Sequence, residues 1–319
     1  MKLLGLLSAL VSIVSATTSI NEETMTITEL HAEAVKEGGG LVVYHGGDIA
    51  SQQDALRTAW KAAFPDVNLT VIVDYSKFHD VRADNQLARG DLEVDIIALQ
   101  TLQNYPRWAK NGDLLQYKPA GFSQIYDKFK DPNGFWMSHR YSTFGFSYDS
   151  AQLGDLEAPK SPADLYTKKY GWEWVEKMAK QQVEFGRGTN TPGEAQSAKR
   201  KPIAMGASIS LAPSASTVKP VYGNGVPFLL WSQRIAIFKK AKHPAAAKLF
   251  MNWIISKGVQ SSMMANRSTR TDVPSPLGGN KFSWSLPEAN VDAFDKFTGD
   301  RAEVERMRFT FSLYLGEVQ

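Results

Sequence analysis

Cysteine is absent from the 319-residue chain, and this absence excludes several classes of protein. Without cysteine there is no disulfide framework, no thiolate zinc site and no lipid-modified cysteine of a bacterial lipoprotein. The histidines show no metal-ligand spacing; they are His31, His45, His79, His139 and His243. We therefore expect no resident cofactor, and leave open a metal ion carried as cargo.

A strong charge of one sign and the common catalytic motifs are also lacking. The chain has 36 basic and 33 acidic residues, a formal net charge of +3, which predicts no nucleic-acid partner. It contains no G-x-S-x-G, no P-loop and no G-x-G-x-x-G. The sequence therefore favours a protein that is not an enzyme.

No apolar run is long enough to span a membrane. The N-terminal stretch MKLLGLLSALVSIVSA has a positive residue at Lys2, an apolar run over 3–14 and small residues at 14–16. This layout predicts a signal peptide over residues 1–16 that is cleaved before Thr17. We therefore expect a secreted or periplasmic protein without stable membrane insertion.

Helical and strand-like patterns alternate along the first part of the mature chain. Apolar residues recur with helical spacing over residues 27–36, 52–64 and about 80–89. Strand-like apolar stretches occupy 41–44, 68–74 and 94–99. This β-α-β-α-β order predicts an α/β fold with parallel strands, and the chain length favours two lobes.

Ligands of an open parallel sheet bind beyond the carboxyl ends of its strands. Here those ends are followed by His45-Gly46-Gly47-Asp48, Tyr75-Ser76 and Gln100-Thr101. In the first corner, glycines would let a ligand approach the backbone, and N–H groups at the helix start would suit an anion. The alternative is a plain turn, in which Asp48, or Ser51 with Asp54, caps the helix.

Longer segments carry a resemblance to a known family. They are HAEAVKEGGGLVVYHGG (31–47), LARGDLEVDIIALQT (87–101), YPRWAKNGDLLQYKP (105–119), RYSTFGFSYDS (140–150), AIFKKAKHPAAAKLFMNWIISKGVQ (236–260) and TRTDVP (269–274). In this order they resemble type II extracellular solute-binding proteins, of the branch that serves iron(III)-type ABC importers. The resemblance implies two lobes with mostly parallel sheets and a ligand cleft between them.

The same resemblance implies a division of the chain. Residues 17–115 and about 237–285 would form lobe 1, and about 116–236 with 286–319 would form lobe 2. Hinge strands would lie near Leu115 and Trp231. The protein would be a monomer that closes on a small ligand and delivers it, to an ABC importer only if the host is bacterial.

The resemblance also implies which residues meet the ligand. Ferric-iron members use a histidine or carboxylate at the first corner, a carboxylate after the third strand and two adjacent tyrosines. His45 and Asp48 are compatible, but Gln100-Thr101 is neutral and no two tyrosines are adjacent. Direct capture of Fe(III) is therefore not expected, because its anionic oxygen ligands are missing.

The expected site is instead a hydrogen-bonding pocket for a metal–anion complex, a phosphonate-like compound or a small organic anion. Its candidate residues in lobe 1 are His45, Gly46, Asp48, Tyr75, Ser76, Gln100 and Thr101. Those in lobe 2 are Arg140, Ser142, Thr143, Ser208 and Ser210. Arg140 would fork onto a carboxylate or phosphate, or else be a solvated surface cation.

The chain departs from the family pattern near 165–170. Between Ser161-Pro162 and Gly171-Trp172, roughly two dozen residues of a strand–helix unit are missing, which would expose a sheet edge. A secreted remnant that binds nothing is therefore one alternative function. Another is an enzyme on the same fold, with His45 and Asp48 as its only local acid–base pair. In a eukaryotic host, the sequons at Asn68 and Asn266 would be glycan acceptors.

Overall fold

The computed structural model describes residues 20–152, 167–186, 188–222, 225–279 and 281–317. The predicted signal peptide and most of the shortened segment before residue 170 lie outside these residues. No helix in the described part of the chain has the length and apolar character needed to cross a bilayer.

The first half of the fold is a parallel unit. Strand β1 (Gly40–Gly46) pairs in parallel with β2 (Asn68–Asp74) on one side and with β3 (Ile96–Leu99) on the other. Helices α2 (Asp54–Ala63) and α3 (Ser76–Arg89) make the crossovers. The predicted β-α-β-α-β unit is confirmed, and the strand over 68–74 has the predicted bounds.

The helix before this unit shows how local chemistry sets its ends. Helix α1 (Ile27–Glu37) begins after Thr26, whose hydroxyl accepts the Glu29 N–H while the Glu29 carboxylate accepts the Thr26 N–H. It ends at Gly38, which has a φ of 125°. Glycine is favoured there because a side chain is strained at positive φ.

The remaining strands pair antiparallel. They are β4 (Met137–Asp149), β5 (Ile203–Ser208), β6 (Val218–Val221) and β7 (Leu229–Ile237). The sheet order is β2-β1-β3-β7-β4-β5, and β6 also pairs with β4. The sheet is therefore mixed: the parallel pairings belong to its first three strands, and β3–β7 and all β4 pairings are antiparallel.

Two long strands connect the lobes. Strand β7 pairs with β3 through residues 234–237 and with β4 through 229–235, and it contains Trp231. The second half of β4 pairs with β5 and β6. The fold is thus a two-lobed α/β architecture in which β4 and β7 run from one lobe into the other.

Seven further helices complete the described part of the fold. They are α4 (Asn104–Asn111), α5 (Thr167–Ala179), α6 (Thr191–Ser197), α7 (Pro244–Ile255), α8 (Lys257–Ser262), α9 (Ala293–Gly299) and α10 (Arg301–Leu315). The main core lies where α2 and α7 meet, with the ring of Trp60 against Phe64, Phe250 and Trp253. Burial of such aromatic side chains supplies much of the stability of a domain.

Residues 116–136, between α4 and β4, contact elements of lobe 1. The Ala120 N–H donates to Asn252 of α7, and Ile125 forms a bridge with Arg270 after α8. The Tyr117 hydroxyl accepts a hydrogen bond from the same Asn252. Residues 116–136 therefore pack against α7 and the segment after α8.

Candidate functional site

The glycine corner after β1 is filled by the protein's own side chains. A Cβ atom at Gly46 would lie 2.2 Å from Ser76 Oγ, and one at Gly47 would lie 2.6 Å from Gln52 Oε1 and from Val73 Cγ1. Both distances are shorter than any real contact of a Cβ atom. These glycines are thus required by close internal packing, whether or not a ligand also approaches them.

The backbone N–H groups of this corner are also used internally. The Gly47 N–H donates to Asp74 O at 3.0 Å, and the Asp48 N–H donates to Gln52 Oε1 at 2.7 Å. The Ser76 hydroxyl accepts the Gln100 N–H at 3.0 Å. Two N–H groups of this corner, those of Gly47 and Asp48, therefore already have partners within the protein.

The side chain of Asp48 points toward lobe 2. A Cβ at Gly188, in the loop before α6, would lie 3.1 Å from Asp48 Oδ2. No side chain caps α2 or the short 3₁₀ turn before it, so the alternative of a capping Asp48 is wrong. His45 Nδ1 instead lies 2.8 Å from Gly46 O, and no hydrogen bond to Asp48 is formed. The acid–base pair that an enzyme would need is not assembled here.

Two buried histidines meet between β1 and β4. His45 and His139 are each 2% exposed, and their ring centroids lie 5.7 Å apart, edge to face. His45 Nε2 and His139 Nδ1 have no hydrogen-bond partner in the described part of the chain. Burial, with the nearby Arg140 charge, lowers the pKa of His45 to about 3 and that of His139 well below its usual range. Both imidazoles are therefore neutral at neutral pH.

Arg140 is oriented by a single uncharged side chain. Its Nε and Nη2 donate to Gln233 Oε1 at 2.9 and 2.6 Å, and Gln233 Nε2 donates to Ala98 O at 2.9 Å. Among the described residues, no carboxylate forms an ion pair with Arg140. Burial and the nearby Arg267 charge lower the pKa of Arg140 to about 10. Arg140 is thus a half-buried cation whose charge is not compensated by a carboxylate of the described residues.

A second set of polar groups lines a small pocket where β4 and the segment after β5 face the loop after α8. The pocket has a volume of about 170 Å³. Its lining residues are Tyr141, Thr143, Ser208, Ile209, Ser210, Leu211, Ala212, Asn266, Arg267, Pro276 and Ser283. Arg267 Nη2 lies 3.5 Å from Ser208 Oγ, and the Thr143 hydroxyl donates to Ile209 O at 2.6 Å. Three predicted residues thus meet a second arginine here, beside the sequon at Asn266.

A larger cavity lies within lobe 2. It measures about 440 Å³ and is lined by Thr189, Asn190, Gly193, Glu194, Ser197, Ser208, Ser216 and Val218. Ser208 lines both this cavity and the smaller pocket. The two spaces therefore adjoin at the end of β5.

The other predicted residues lie elsewhere around the strand ends. Tyr75 precedes α3, with its ring 5.8 Å from that of Phe78. Gln100 and Thr101 follow β3, and Ser142 is buried on β4 opposite Trp231. The described residues contain no group of three or more His, Cys, Asp or Glu side chains able to hold a metal ion.

Sequence reasoning missed three residues of this region: His139, Gln233 and Arg267. A usable signal was present for Gln233, which stands in the otherwise largely apolar strand LLWSQRIAI and is 0% exposed. A buried amide in a strand requires partners for all its polar atoms. For His139 and Arg267, no comparable pattern stands out in the sequence.

Comparison with known proteins supports the fold. No protein-family model matches the chain, and neither does any curated protein. Three similar solved structures are iron-bound HitA from Pseudomonas aeruginosa, AfuA from Actinobacillus pleuropneumoniae with fructose-6-phosphate bound, and an ABC-transporter substrate-binding protein from Agrobacterium tumefaciens.

These similarities are structural and extend over nearly the whole length of the compared proteins. HitA is 16% identical with a TM-score of 0.64, over 85% of this chain and 99% of HitA. AfuA is 16% identical with a TM-score of 0.65, over 88% of this chain and all of AfuA. The Agrobacterium protein is 13% identical with a TM-score of 0.68, over 86% of this chain and 94% of its own. The chain therefore has the fold of type II periplasmic solute-binding proteins, as the resemblance implied.

Proposed function

We propose that this protein binds a small organic anion between its two lobes and releases it chemically unchanged. The observation that carries the proposal is the pair Arg140 and Arg267, which lie close enough to interact electrostatically and form no ion pair among the described residues. Arg140 is half-buried and Arg267 is exposed, and an anionic ligand would supply the negatively charged partner that both lack among the described residues.

The polar groups around the two arginines suit an oxyanion. Ser208 and Ser210 line the small pocket together with Arg267 and contribute hydroxyl groups. Arginine and hydroxyl groups together recognise carboxylate and phosphate oxygens. Of the similar structures, AfuA holds fructose-6-phosphate, an organic phosphate.

Capture of bare ferric iron is a weaker reading of this site. HitA is an iron-bound structure, but the described residues of this chain offer no cluster of metal-binding side chains. Hard Fe(III) requires anionic oxygen ligands, whereas Arg140 and Arg267 place positive charge at this site. If a metal is carried, we expect it to enter as a complex with an organic anion.

The rest of the proposal concerns where the protein works. We propose that residues 1–16 direct it to the periplasm or the cell exterior, where it acts as a monomer. In a bacterial host, delivery to an ABC importer would complete its role. In a eukaryotic host, Asn68 and Asn266, both exposed, would be accessible to glycosylation, with Asn266 at the rim of the small pocket.

Binding is tested by thermal shift and calorimetry on the mature protein with inorganic phosphate, fructose 6-phosphate, citrate and Fe(III)-citrate. Neutral fructose is the matched control. A ligand at 100 times its Kd stabilises the folded state by about 2.7 kcal/mol, which raises Tm by several degrees. We expect this rise with at least one anion and none with fructose. An unchanged Tm with every anion, or equal binding of fructose, would contradict the proposal.

A further inference from the structure

Gln233 holds Arg140 in a geometry that only an amide can provide. Arg140 can only donate hydrogen bonds and Ala98 O can only accept them. The Gln233 oxygen must therefore face Arg140 and its nitrogen must face β3, as the distances of 2.6 to 2.9 Å show. Since Gln233 is 0% exposed, solvent does not compete for either group.

The neutrality of Gln233 has a consequence for the charge of Arg140. Glutamate has nearly the same shape and would form an ion pair with Arg140, the usual partner of a buried arginine. With glutamine, the guanidinium is oriented through Nε and Nη2 but its positive charge is not neutralised. Within the described part of the chain, the titratable and charged groups that interact electrostatically with Arg140 are His45 on β1, His139 on β4 and Arg267 after α8, and none of these is acidic.

A second, independent observation points to a ligand at this place. His45 Nε2 and His139 Nδ1 are buried ring nitrogens without a hydrogen-bond partner among the described residues. Leaving such groups unpaired is unfavourable. Gly46 O can only accept, so His45 Nδ1 carries the proton, and in the neutral ring Nε2 is an acceptor that would receive a hydrogen bond from a hydroxyl group of the anionic ligand.

We propose that Gln233 is the positioning residue that keeps Arg140 oriented, with its positive charge uncompensated, for a carboxylate or phosphate group of the ligand. This inference rests on the proposed function and deepens it, because it names the part of the ligand that is recognised and the residue that sets the preference for an anion. Gln233 itself acts through Arg140.

The test compares two substitutions in the full mature protein. Gln233→Glu neutralises Arg140 with nearly the same shape, whereas Gln233→Met removes the orienting bonds and leaves the charge. Calorimetry uses inorganic phosphate and fructose 6-phosphate as phosphate probes and citrate as the carboxylate probe. We expect Gln233→Glu to weaken binding at least about 30-fold and Gln233→Met about 3- to 10-fold.

The outcomes distinguish a failure of this inference from a failure of the proposed function. In an Arg140→Met background, Gln233→Glu should cause no further loss. If the wild type binds anions and Gln233→Glu binds them as well as wild type, or no worse than Gln233→Met, the inference is wrong and the function stands. If Gln233→Glu does not fold, unchanged binding by Gln233→Met overturns it. If the wild type binds no anion, both proposals fail. The ratio of phosphate to citrate affinity then identifies the recognised group.

Discussion

Polar groups in the glycine corner after β1 have protein partners, whereas some polar groups on the crossing strands β4 and β7 do not. In the corner, the Gly47 and Asp48 N–H groups and the Ser76 hydroxyl all have protein partners. On the crossing strands, the Arg140 charge is uncompensated, and a His139 ring nitrogen is unpaired. Since buried polar groups are almost always satisfied, the exceptions locate a binding site better than glycines do.

The largest expected effect on affinity comes from removing the positive charge of Arg140 on the crossing strand β4. Arg140→Met should weaken anion binding about 100-fold, because a charged hydrogen-bonding partner of the ligand is lost. Folding should be preserved, since replacing a buried charge by an apolar side chain is often neutral or stabilising. Calorimetry with fructose 6-phosphate measures the loss. Arg89→Met, at an exposed arginine paired with Asp91, is the matched control and should bind as wild type.

A substitution in the glycine corner should change the free energy of unfolding and not the affinity for the ligand. Gly46→Ala places a methyl group 2.2 Å from Ser76 Oγ and should lower the free energy of unfolding by about 2 kcal/mol. Gly258→Ala, in α8 with open space around its Cβ position, is the matched control and should be neutral or slightly stabilising. Urea unfolding measures both. If Gly46→Ala loses more binding free energy than unfolding free energy, the corner belongs to the ligand site.

His45, one of the two buried histidines, should make the stability of the protein depend on pH. The pKa of His45 is about 3 in the folded protein, against an ordinary value of 6.5, so the unfolded chain binds a proton that the folded one does not. Stability is therefore full above pH 6.5 and falls as the pH drops from 6.5 toward 3, by about 1.4 kcal/mol per pH unit for one such group. In His45→Gln this contribution should vanish, so the slope of unfolding free energy against pH should decrease by that amount. An unchanged slope would show that His45 is protonated in the folded state.

The parallel β-α-β-α-β unit could be predicted from the sequence because residues close together in the chain define each of its elements. Helical spacing, and Pro65 directly after α2, define its elements within a few residues. The insertion of β7 between β3 and β4 is different, since it pairs residues 85 to 141 apart in the chain. No periodicity in either segment encodes that pairing, so the neighbours of Arg140 could not be read from the sequence.

Register explains why the candidate residues on β4 were only partly brought together. An irregularity between Ser138 and Arg140 shifts the pairing with β7. Successive residues in a strand point to opposite faces, so Ser142 and Thr143 cannot share one pocket wall. The structure places Thr143 with Tyr141 in the small pocket and Arg140 with Gln233. A sequence pattern identifies strand residues, but a bulge decides which of them face a ligand.

Substitution of Asp48 should have the smallest effect on anion affinity, and it tests directly whether the corner binds the ligand. Its carboxylate lies against Gly188, which has a φ of 95°, so we expect it to contact lobe 2 rather than the ligand. Asp48→Ala should change anion affinity less than about threefold, and in the direction of tighter binding, because the protein loses one negative charge. Calorimetry with fructose 6-phosphate, with Asp48→Asn as the matched control for charge alone, measures the change. A tenfold loss in Asp48→Ala would mean that the corner binds the ligand directly, and the contrast between the corner and the crossing strands would then be one of degree.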